Sequence, residues 1–268
     1  MYFHWPPEEV APHQSWCYQM AMIRTANPAL SDTTFSNIGS SSESAMTIQG
    51  TVNKTAILLV IVTVSAAFTW DRFSVAPQQA MPWMLAGAIG GFIVALVACF
   101  KKTWAPATAP LYAVLEGLFL GGVSAFYNSK FQGIAFQAII LTLGTLCALL
   151  LAYRSGVIRA TENFKLGIFA ATGGIALVYL VGFILSFFGK SIPFIHESGI
   201  VGIGFSAVVV VIAALNLVLD FDFIEKGAEQ GAPKYMEWYG AFGLIVTLVW
   251  LYLEILRLLS KLSSRRSD

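Results

Sequence analysis

Apolar residues fall in seven long runs, roughly Thr55–Trp70, Pro82–Phe100, Thr108–Tyr127, Phe131–Tyr153, Leu166–Phe188, Gly199–Phe223 and Trp238–Leu259. The breaks between them carry charge or turn chemistry: Asp71-Arg72, Lys101-Lys102, Asn128-Ser129-Lys130, Arg154-Ser155-Gly156, Gly189-Lys190, and Glu225 to Lys234. A helix needs roughly 17–25 mostly apolar residues to cross the hydrocarbon core of a bilayer. Backbone groups in lipid must find partners within their own segment, so runs of this length predict helices and not strands. The pattern therefore predicts an all-α, polytopic membrane protein with seven transmembrane helices in one bundle over residues 55–262. A polar, disordered tail over residues 1–54 and a short basic tail over 263–268 would flank it. Trp70, Trp83, Trp104, Trp238 and Tyr239 stand at or near run ends, where an aromatic belt places them.

Composition agrees with the pattern. The chain is 57% hydrophobic and 12% charged, with a mean hydropathy of +0.71; an ordinary soluble domain carries about twice that charge. A net charge of +1, without a basic stripe, argues against a nucleic-acid partner. Cys17, Cys99 and Cys147 show no CxxC or CxxH spacing, so neither a disulfide framework nor a structural zinc site is supported. Residues 1–54 are rich in Pro, Ser, Thr and Asn. They contain no apolar h-region behind a basic start, so no cleavable signal peptide is expected. Met22 offers a second candidate start.

Positive charge orients the bundle. Arg24, Lys54, Lys101, Lys102, Arg154, Arg159, Lys165, Lys226 and Lys234 would share the N-terminal side, against Arg72, Lys130 and Lys190 opposite. That asymmetry predicts a cytoplasmic N-terminus, although Arg257, Lys261, Arg265 and Arg266 at the far end pull the other way. Gly117-Leu118-Phe119-Leu120-Gly121 is a GxxxG, and Gly87, Gly90 and Gly91 thin one face of the second span. Close helix packing is the expected use of both.

Candidate chemistry rests on the ionisable residues inside the runs, which lipid tolerates only beside a cavity, a partner or an ion. Glu116 shares a polar stripe of the third span with Tyr112, Ser124 and Tyr127. The plainer alternative is a neutral acid that merely joins helices. Asp220 closes the sixth span with Asn216 one turn earlier, presenting two oxygen ligands together. Asp222 points elsewhere and reads as a solvated helix-end carboxylate. Glu254 lies in the last span on one face with Gly240, Gly243 and Thr247, its plainer alternative being an i, i+3 pair with Arg257. Carboxylates and amides are the ligands hard cations such as calcium take, and facing carboxylates titrate as a unit.

Three segments together resemble the Bax-inhibitor family of seven-helix membrane proteins, most closely its bacterial branch. They are Glu116-Gly117-Leu118-Phe119-Leu120-Gly121, Leu219-Asp220-Phe221-Asp222-Phe223-Ile224 and Leu251-Tyr252-Leu253-Glu254-Ile255-Leu256. Asn27-Pro28-Ala29-Leu30 is similar to that branch as well. The resemblance spans roughly Thr51 to Leu262. It implies an integral protein of the bacterial inner membrane acting as a pH-sensitive calcium leak, closed by a carboxylate pair between the sixth and seventh helices. Matched motif to motif, that pair is Asp220 and Glu254, which would also be the calcium ligands; depth along the last helix favours Glu237 instead. Glu116, Asn216 and Asp222 would line the ion pathway. The expected partners are membrane lipid, cations (calcium first) and a membrane protein, with no organic cofactor and no enzymatic activity.

Two other functions stay open on sequence. A regulator that binds and restrains a membrane-bound protease would need an exposed face and a tail. A proton-coupled transporter would usually show inverted repeats, and none is evident. A retinal pigment would need a lysine inside the seventh span. His4, His13 and His196 lie outside the runs, which leaves no histidine-based acid–base cluster within them.

Overall fold

The computed structural model describes residues 45–189 and 199–267. The polar tail before residue 45, with Cys17, Arg24 and the Asn27–Leu30 segment, lies outside the described residues, as do Lys190 and His196. Seven helices long and apolar enough to span a membrane pack together: α1 (Ile48–Val75), α2 (Pro77–Phe100), α3 (Ala105–Lys130), α4 (Ile134–Arg154), α5 (Glu162–Phe187), α6 (Ile200–Glu229) and α7 (Met236–Ser267). A single 3₁₀ turn, Lys102–Trp104, joins α2 to α3. The protein is a seven-helix membrane bundle.

The helices outrun the apolar runs. α1 begins at Ile48, capped by Thr47, whose hydroxyl accepts the Gly50 amide at 2.9 Å. α7 continues through Ser267, so residues 263–267 are helix and not a tail. Hydropathy marks where the hydrocarbon ends, whereas the i→i−4 ladder stops only where a turn or cap interrupts it. The fourth run shows the opposite offset. Its helix starts at Ile134 because Gly133 adopts φ +81°, with its amide bound to the Asn128 side chain at 2.9 Å.

Two helices form the centre. α7 is the most enclosed, with 67% of its most apolar 18 residues buried, and packs against α1, α3, α4 and α6. α3 packs against α1 and α2 through the predicted small residues. A Cβ on Gly121 would fall 2.1 Å from the Ala66 carbonyl oxygen of α1, and one on Gly117 2.5 Å from that of Val62. On the other face, a Cβ on Gly87 of α2 would meet the Leu115 carbonyl at 2.4 Å. α5 is the most peripheral helix, with 11% of its most apolar 18 residues buried, and is packed on α6.

Candidate functional site: a buried carboxyl between α6 and α7

Asp220 occupies the stretch of α6 where Leu217, Val218, Leu219 and Phe221 are all buried, because α4, α5 and α7 surround it. It is 1% exposed. The Thr247 hydroxyl of α7 lies beside its carboxyl group but donates its own proton to the Gly243 carbonyl at 3.3 Å; among the described residues Asp220 Oδ2 has no hydrogen-bond partner. Nine residues separate Asp220 from the end of α6 and eleven separate Thr247 from the start of α7. Both therefore lie about 14–17 Å inside their helices. A buried polar atom without a partner is costly, so this oxygen is a place where taking up a proton or a cation gains free energy.

Neither glutamate of α7 is brought to Asp220. Glu254, the expected partner, is about 10 Å along α7 from Thr247. Its carboxylate accepts Arg257 Nη1 at 3.0 and 3.1 Å and the Tyr179 hydroxyl of α5 at 2.9 Å. The i, i+3 pair thus takes Glu254, and the calcium pair expected from the motifs is not assembled. Glu237, the alternative, is about 15 Å from Thr247 in the other direction. It is fully buried and closes the N-terminal end of the bundle. Lys54 of α1 bonds to its Oε2, while Oε1 accepts Lys234 at 2.8 Å and the Thr47 amide and hydroxyl at 2.9 Å each. The register of α7 decides this: two residues 17 apart cannot both stand at the depth of one aspartate.

Asn216 and Asp222 face α5. Asn216 Nδ2 donates to Thr172 Oγ1 at 2.9 Å and to the Ile212 carbonyl at 2.8 Å. Asp222, expected to be solvated, is 16% exposed and pairs with Lys165 at 2.9 Å and Lys226 at 3.0 Å. Lys165 is itself 1% exposed. The sequence reading passed over the α5 side of these contacts. Lys165, Thr172 and Tyr179 recur every seven residues, which places them on one face, and each makes a polar contact to α6 or α7. That spacing was the available signal. Tyr153 of α4, bonded to Glu225 of α6, was likewise passed over.

Glu116 stands apart from this line. It is half-buried, one turn from Tyr112, and its Oε2 lies 3.1 Å from where a Cβ on Gly91 would be, so it faces α2. Its link to α7 is indirect: the Tyr112 ring stacks edge-on against Phe242 with centroids 5.0 Å apart. Ser124 of the same predicted stripe turns instead to Tyr252.

Among the described residues, no three His, Cys, Asp or Glu side chains gather as a metal site. A resident calcium takes six to eight oxygens, and Asp220 with Thr247 supplies too few of them. No curated protein and no solved structure matches the chain. A family model described as Bax inhibitor 1 like matches residues 27–264, across all seven helices. The chain belongs to the Bax inhibitor 1 like family.

Proposed function

We propose that this protein is a pH-sensitive cation leak, with calcium as the transported ion, and that Asp220 is its titrating gate. The observation that carries the reading is the Asp220 carboxyl: buried, with one oxygen unpartnered among the described residues, between α6 and the helix most enclosed by the bundle. The gate is then Asp220 against Thr247, not Asp220 against a seventh-helix glutamate. Protonation removes a charge at the contact between α6 and α7. A factor of ten in a gating equilibrium needs only about 1.4 kcal/mol, which one titration supplies readily. Asp222 continues the polar line from Asp220 toward the lysine-rich end, and Asn216 continues it in the other direction along α6. That end is assigned to the cytoplasm and the membrane to the bacterial inner membrane, on the distribution of positive charge and the motifs shared with the bacterial branch.

The test is calcium flux into liposomes carrying the purified protein at pH 6 and pH 8, beside Asp220→Asn. The expected result is flux that differs between the two pH values in the parent and not in the variant. Flux no greater than that of empty liposomes at both pH values would overturn the leak. In that case a search for a bound membrane partner would follow.

A further inference from the structure

α1 packs on α3 and α7, while α4 packs on α7, α6 and α3. Between α1 and α4 lies a cleft of about 270 Å³, floored by Leu120 and Ser124 of α3 and by Leu248 and Tyr252 of α7. The floor is buried, whereas the rim residues Thr63, Ile139 and Leu143 are exposed on faces that a membrane bundle turns to lipid. An apolar cavity of about 150 Å³ already admits a benzene ring. This cleft is larger and opens sideways into the bilayer.

The hydroxyls in it share one property: every proton is already committed. Ser124 donates to the Leu120 carbonyl at 2.6 Å, Thr63 to Leu59 at 2.8 Å and Thr142 to Ala138 at 2.8 Å. A serine hydroxyl has a single proton. In the 2.6 Å contact between Ser124 and Tyr252 the tyrosine must therefore be the donor. What remains toward the cleft is acceptor lone pairs in an otherwise apolar wall. Ser124 is six residues from the end of α3, about 9 Å below it, so these acceptors lie beneath the face opposite the chain's N-terminal side. An ester or ether oxygen would find no donor there. A hydroxyl would.

We propose that this cleft binds a single-chain membrane lipid bearing a free hydroxyl, which donates to the Tyr252–Ser124 pair while its hydrocarbon lies along Leu120 and Leu248. The site is separate from Asp220 and does not depend on the leak.

The probe is a hexadecanol carrying a photoactivatable diazirine, added to the purified full chain in detergent, with labelled peptides mapped by mass spectrometry. Expected are saturable labelling of α1, α4 or α7 peptides and competition by hexadecanol about five- to tenfold better than by hexadecyl methyl ether, the difference one hydrogen bond makes. Ala66→Phe, which fills the cleft, should abolish labelling. Ser124→Ala with Tyr252→Phe should bring the alcohol's advantage down toward the ether. Labelling that does not saturate, equal competition by the ether, or labelling unchanged in Ala66→Phe would overturn the proposal. The ether comparison uses the unmodified protein, so a variant that fails to fold does not obscure it.

Discussion

Three acidic side chains on α6 and α7 share a type and differ in company. Glu237 is held by two lysines and the first turn of α1, and Glu254 by an arginine and a tyrosine, whereas Asp220 has only the Thr247 hydroxyl beside it. Replacing Glu237 with Gln leaves Lys54, Lys234 and Thr47 without their shared anion. Both lysines retain some access to water, so the expected loss is about 2 kcal/mol, read as a lower thermal midpoint in detergent. Gly50→Ala should act in the same direction, because its Cβ would fall 2.1 Å from a Glu237 oxygen that the lysines pin in place. Glu254→Gln separates the proposed gate from its alternatives. If Asp220 alone titrates, this variant keeps the pH dependence of calcium flux that Asp220→Asn loses. Loss of pH dependence in Glu254→Gln would return the glutamate to the gate. The pairing of Glu254 with Arg257 was legible as an i, i+3 spacing. Its distance from Asp220 was not, because motif order says nothing of how far one helix has slid along another.

Between helices, close approach depends on where side chains are missing. The α1–α3 contact runs through Gly117 and Gly121, and the α2–α3 contact through Gly87. Gly121→Ala must push α1 away from α3 and should cost about 1–3 kcal/mol. Gly144→Ala should be neutral or slightly stabilising, since nothing lies within 4 Å of the new methyl and the helix gains by losing a glycine. Thermal unfolding of the two variants side by side checks this, and equal midpoints would sink it. The GxxxG marked a packing face from sequence alone, but which helix it faced required the fold. α5 gives the reverse lesson. Its apolar length is plain in the sequence, yet its attachment is polar: Lys165 to Asp222, Thr172 to Asn216, Tyr179 to Glu254 and Arg257. Three polar residues seven apart in a hydrophobic helix are a readable pattern, though their partners lie 44 to 78 residues away.

At the scale of the molecule, alternation of seven helices puts Lys54, Lys102, Arg154, Lys165, Lys226 and Lys234 at one end and Arg257 and Lys261 at the other. The lysine-rich end is proposed to be cytoplasmic. A cysteine placed at exposed Ser155 should then resist an impermeant maleimide in intact cells, while one at exposed Ser129 should react; the reverse labelling would invert the protein. Sequence by itself determined the number of helices, their order and their residence in a membrane, because the cost of exposing backbone and charge to lipid is set locally by each segment. It also marked Asp220, because a carboxylate in such a run is anomalous wherever the run ends up. Tertiary structure alone decided what meets that carboxylate. Seventh-helix register aligns Thr247 with Asp220 and places the two glutamates above and below it. Relative translation of packed helices arises from side-chain interlocking along their whole length, and no short motif encodes that.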